Sequence, residues 1–192
     1  MTILIVGLII FLGVHSVRIV AAAGRAALIA RIGQHRWKAL YSLASAVGLV
    51  LIVWGYGLAR VHTELLWAPP RWTRDAAALL TAAAFILIAA AYVPGNRIKA
   101  AAGHPMVAGV LIWSIAHLLA NGSLTAVVLF GAFMVWAMLD FVSSRRRDRS
   151  VGTRYANGTL VRDAVAVIVG LGGWFLFAFV LHGWLIGVRP FG

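Results

Sequence analysis

Two histidines, His104 and His117, stand near the two ends of an apolar stretch, GHPMVAGVLIWSIAHLLANG, that runs from Gly103 to Gly122. A third, His15, lies inside the apolar run at the start of the chain. An imidazole at membrane depth is costly to bury and marks a functional site by default. It is also a normal axial ligand for haem iron. Thirteen positions of helix separate His104 from His117, roughly 20 Å at about 1.5 Å per residue. One straight helix therefore cannot bring both to one metal, and a partner must come from another helix.

The remaining histidines suit blander roles. His35 and His62 sit among polar neighbours and read as solvated side chains, and His182, beside Trp184, reads as interfacial. The chain has five acidic residues, and Asp75, Asp140 and Asp163 fall at helix ends, so no paired carboxylates await general acid–base work. There is no HExxH, no glycine-rich phosphate loop and no serine nucleophile beside a base. Cysteine is absent, which excludes disulfides, thiolate metal sites and cysteine nucleophiles.

The elements that hold these histidines belong in a bilayer. Of 192 residues 62% are hydrophobic and 11% charged, with a mean hydropathy of +0.94, whereas soluble domains carry about a quarter charged residues. The expected fold is all-α, one polytopic, multi-pass membrane domain over residues 1–192. Six stretches approach the roughly 20 apolar residues that a span needs: Thr2–Ala23, Leu40–Ala59, Asp75–Tyr92, Pro105–Ala120, Leu124–Val142 and Asp163–Val188. The first reads as a retained helix, being too long for a signal peptide and lacking its basic start. Pro94, Gly95 and Asn96 stop the third. Pro105 suits a first helical position with His104 as N-cap, and Asn121–Gly122 make a short turn that sets the fourth and fifth helices antiparallel. The segment Arg25–Lys38, with apolar residues among arginines, has the pattern of a helix lying in the membrane surface or of a basic loop. Alanines of the third helix, with Ala166, Gly170 and Gly173 of the sixth, suit close helix packing.

Basic residues set the orientation. Twelve lie in the connections after helices one, three and five and four on the opposite side, with Arg18 ending the first helix. The positive-inside rule then puts both termini outside the cytoplasm. The net charge of +12 is thereby a matter of topology, and no nucleic-acid partner is needed to explain it. On this topology His15 lies about 20 Å in from the outer face, nearer in depth to His104 than to His117. The expected ligand pair is His15 with His104, with His117 as a pocket donor or alternate ligand. Arg18 shares a helix face with His15 and either meets a haem propionate or snorkels to the headgroups.

The blocks FLGVHSVR, RIGQHRWKALYSLASAVGLVLIVWGY and HPMVAGVLIWSIAHLLANG resemble the NnrU family of bacterial membrane proteins over most of the chain. The resemblance implies a link to the expression or function of nitrite and nitric oxide reductases in denitrification. The 15-cis-ζ-carotene isomerase, a haem b protein, is similar to the same family. Carried over by residue, the likeness puts interest on His15, His104 and His117. The expected function is that of an NnrU-type membrane protein holding haem b in nitrogen-oxide metabolism. The alternatives are a haem-dependent cis–trans isomerase of a carotenoid-like polyene, and a non-catalytic assembly or transport protein. The expected partners are the lipid bilayer, haem, and either a hydrophobic polyene or a nitrogen-oxide reductase system.

Overall fold

A computed structural model describes residues 1–191. The chain forms α1 (Thr2–Val20), α2 (Ala22–Ile32), α3 (Gln34–Ala59), α4 (Trp72–Tyr92), α5 (Arg97–Ala102), α6 (Pro105–Ala120), α7 (Leu124–Val151) and α8 (Leu160–Leu176), the last running through a π-helical turn, Phe177–Leu181, into α9 (His182–Ile186). Among the described residues five helices are long and apolar enough to cross a membrane: α1, α3, α4, α7 and the α8–α9 rod. The expected fourth span, α6, has the expected bounds but only 16 residues, about 24 Å against a hydrocarbon core of about 30 Å. It is apolar and packs between α4 and α7.

Neighbouring helices follow one another in the order α3, α1, α7, α6, α4, α8. Glycines set the closest approaches. A Cβ on Gly55 would stand 2.7 Å from Leu4 Cα, and one on Gly48 2.8 Å from Phe11 N, so α1 and α3 touch backbone to backbone. Gly170 does the same for α8, where a Cβ would lie 2.5 Å from Ile86 Cα of α4. Close backbone contact substitutes for the hydrophobic effect, which gives little drive to helix pairing in lipid. Between these pairs sits the buried cluster Leu4, Leu8, Ile52, Ala126, Leu129 and Phe130.

Both ends of the bundle are tied by loops. At one end residues 63–67 cross the α6–α7 turn, with Leu66 N–H donating to Gly122 O at 2.8 Å and Leu124 N–H to Glu64 O at 2.9 Å. A side chain at position 122 would strike the Trp67 carbonyl, which explains the glycine after Asn121. At the other end Asn96 is 2% exposed. Its amide donates to Ala90 O at 2.8 Å, and its Oδ1 caps α5 by accepting from Lys99 N–H at 2.6 Å. The Pro94–Gly95–Asn96 stop therefore also starts a short helix. The segment Arg25–Lys38 divides into α2 and the first turns of α3, with Gly33 at φ +87° between them.

Gly55→Ala is expected to push α1 off α3 and cost about 1–3 kcal/mol, the usual penalty for overpacking. Gly57→Ala, where nothing lies within 4 Å, is expected to be neutral or slightly stabilising. Thermal unfolding of the two variants in one detergent checks the contrast; equal Tm values would contradict the backbone contact.

Candidate functional site

The sequence FLGVH puts an aromatic ring four residues before His15, and WSIAH does the same for His117. In a helix this spacing stacks the two side chains on one face and aims the imidazole at the carbonyl one turn back. His15 Nδ1 lies 2.6 Å from Phe11 O and His117 Nδ1 2.9 Å from Trp113 O. A carbonyl only accepts, so Nδ1 carries the proton in both rings and Nε2 is left with its lone pair. Metal-ligating histidines are commonly oriented in this way, by a second-shell bond from the other nitrogen.

The surroundings of the two rings differ. His15 stacks on Phe11 with centroids 4.3 Å apart and faces Tyr41 at 5.1 Å and the edge of Trp136 at 5.9 Å, between α1, α3 and α7. His117 stacks on Phe130 at 4.5 Å and opens into a cavity of about 260 Å³ between α4, α6 and the α8–α9 rod. An aromatic ladder links the two: Phe11 to Phe133 at 5.8 Å, Phe133 to Trp113 at 5.5 Å, Trp113 to His117 at 4.9 Å.

His104 is held apart from both. It occupies the N-cap position of α6, with Pro105 at the first helical position as expected, but its side chain makes no capping bond. Instead Nε2–H donates to Asp148 Oδ2 at 2.8 Å, and the Tyr155 hydroxyl donates to the same oxygen at 2.6 Å. Burial, helped by the bond to Asp148, pushes the Tyr155 phenol above its ordinary value. His104 and His15 both lean on α7, against Phe141 and Trp136, yet their ring neighbours do not overlap. The structure therefore does not bring the His15–His104 pair together. Arg18 is exposed in the last turn of α1.

The cavity also gathers residues whose sequence setting points to other roles. His182 lines it too, its Nδ1–H donating to Val188 O at 2.7 Å, which leaves its Nε2 without a hydrogen bond. Eight residues after Trp174, an unbroken α-helix would turn His182 about 80° away from the face that Trp174 presents to the cavity. The π turn widens one turn by about one residue and rotates His182 back. No residue in FAFVL announces that turn. Arg74 and Arg189 stand exposed among the cavity residues, while Phe85, Trp113, Trp174 and Phe177 give it aromatic walls. Trp174 Nε1–H is satisfied by Thr81 Oγ1 at 3.0 Å.

Apolar walls, two imidazoles with free Nε2 atoms and two guanidiniums suit a flat apolar molecule bearing anionic groups at its edge. Among the described residues no three His, Cys, Asp or Glu side chains converge. A bare metal ion caged by protein ligands is thus a poorer match than a macrocycle that brings its own nitrogens. Imidazole and guanidinium are the side-chain types that haem iron and its propionates take, and the roughly 260 Å³ enclosed here would hold only part of such a macrocycle.

A second groove, about 460 Å³, lies beside the first along α4 and α8, bounded by Ile88, Tyr92, Val165, Val169 and Arg162. Phe85 borders both spaces. Its ring fills the notch left by Gly173, 3.5 Å from where a Cβ would stand.

Searches of curated proteins and of solved structures found no match. The family model described as NnrU protein matches residues 3–190. Nearly the whole of this apolar helical chain is covered by that match, and the chain belongs to the NnrU family.

Proposed function

We propose that this NnrU-family protein is a six-span inner-membrane protein, both termini outside the cytoplasm, that binds haem b in the cavity between α4, α6 and α8–α9 and serves nitrogen-oxide metabolism in denitrification. The observation that carries the haem reading is that His117 and His182 line one aromatic-walled space together with Arg74 and Arg189. His117 and His182 would hold the iron and the two arginines would neutralise the propionates. His15, whose ring packs against Phe11, Tyr41 and Trp136 and does not line this cavity, stands outside the ligand set. His104 would serve as a positioning residue, since its Nε2 is spent on Asp148. Haem held this way would supply redox and ligand-binding chemistry; the protein supplies ligation, charge neutralisation and exclusion of water.

The groove along α4 and α8 favours a second reading, a haem-dependent isomerase of a carotenoid-like polyene. A long apolar molecule could lie along the groove and reach the cavity past Phe85. Co-expression with a cis-carotene and chromatography of the products decides between the two readings; unchanged isomer ratios would count against the isomerase.

Purified in mild detergent after haem-replete expression, the protein is expected to show a Soret band. His117→Ala and His182→Ala should abolish or shift it, and His35→Ala should leave it unchanged. No band at all, or a band lost in His15→Ala and His104→Ala but intact in His117→Ala, would contradict the assignment. Arg74→Gln and Arg189→Gln are expected to weaken haem retention by at most about fivefold each, since an exposed ion pair is worth about 0.2–1 kcal/mol. Their Soret position should stay put, because ligation is unchanged; titration of the apoprotein with haemin measures both.

A further inference from the structure

Charge is divided very unequally between the two ends of the bundle. Thirteen of the seventeen Lys and Arg residues lie at the end where α1 and α7 finish, against three of the five acidic residues, so that end carries +10 of the chain's +12. The three carboxylates there are already engaged. Asp140 lies 3.8 Å from Arg147, Asp148 2.8 Å from His104, and Asp163 3.8 Å from Arg97. Among the described residues Arg18, Arg25, Arg31, Arg36 and Lys38 have no carboxylate within ion-pair distance.

Helix lengths fix the depth of these cations. The 19 residues of α1 rise about 28 Å, close to the roughly 30 Å hydrocarbon core. One residue, Ala21, then leads into α2, and one, Gly33, leads out of it into α3. α2 is thus held at the level where the chain leaves and re-enters the bilayer. The 26 residues of α3 rise about 39 Å, so its first turns, with Arg36, Trp37 and Lys38, overhang the core by about 9 Å. No residue of α2 is buried against the bundle, and Leu28 is 40% exposed. The Arg25 guanidinium lies 5.7 Å from the Trp37 ring, which folds α2 toward the start of α3.

We propose that this end of the protein binds anionic phospholipid headgroups, with α2 and the first turns of α3 as the contact surface, and that the contact holds α2 at headgroup level. Depth decides for lipid over a soluble acidic protein. Unneutralised cations and uncovered apolar side chains share one short helix at headgroup level, where a leaflet satisfies both together.

The test uses the full chain in nanodiscs of phosphatidylcholine, with or without phosphatidylglycerol. Thermal unfolding is expected to shift upward by several degrees with phosphatidylglycerol, and the shift should shrink at high salt. The combined Arg25→Gln, Arg31→Gln, Arg36→Gln and Lys38→Gln variant should lose more than half of it, and Arg71→Gln at the opposite end should keep it whole. Native mass spectrometry of Arg31→Gln alone, an exposed single change, should show fewer retained phosphatidylglycerol molecules than the unsubstituted protein. Equal Tm values in the two lipids, an undiminished shift in the fourfold variant, or equal lipid retention in Arg31→Gln would overturn the proposal.

Discussion

A half-buried imidazole inside an apolar helix must do something with its N–H, and the candidate site rests on how this chain meets that demand. An unpaired polar group in an apolar interior costs several kcal/mol. His15 and His117 each spend their Nδ1–H on the carbonyl one helical turn back, beneath an aromatic ring at the same spacing. The bond is local, so it survives whatever the neighbouring helices do. Its consequence is chemical: each ring keeps a fixed tautomer, with the proton on Nδ1 and a bare Nε2.

The bundle then decides which of these nitrogens has room in front of it. Glycines draw α1 against α3 and α8 against α4. α6, shorter than its neighbours, leaves His117 and Asn121 lining a cavity that His182 of the α8–α9 rod and Arg189 just beyond the rod complete. His15 is enclosed by Tyr41, Trp136 and Phe11. The aromatic ladder between His15 and His117 packs the centre of the molecule, so the two histidines share one rigid core although they face different spaces.

Much of the fold was legible in the sequence because it is governed by local rules. Pro105 and Asn121–Gly122 bound α6 where expected, Pro94–Gly95 ends α4, and the segment after α1 does form a short helix among arginines. Candidate site residues were legible as types: His15, His104 and His117 all sit on or at the helices expected of them. Their partners were not. The Asp148 and Tyr155 contacts of His104 cross 44 and 51 positions of chain, and no spacing rule reports them. α7 runs nine residues past the expected end at Val142, because Ser–Arg–Arg–Arg–Asp–Arg is a good helix sequence once free of the bilayer. That extension is what brings Asp148 to His104. The π turn that swings His182 to the cavity has no sequence mark, so a residue read as interfacial became a ligand candidate.

The central claim is the tautomer of the two aromatic-backed histidines. Solid-state nitrogen NMR of the ¹⁵N-histidine-labelled protein in lipid, with each resonance assigned by its own His→Gln variant, reads it directly. The account predicts His15 and His117 protonated on Nδ1 with Nε2 bare, and His104 protonated on Nε2. A His117 signal protonated on Nε2 with Nδ1 bare would contradict it.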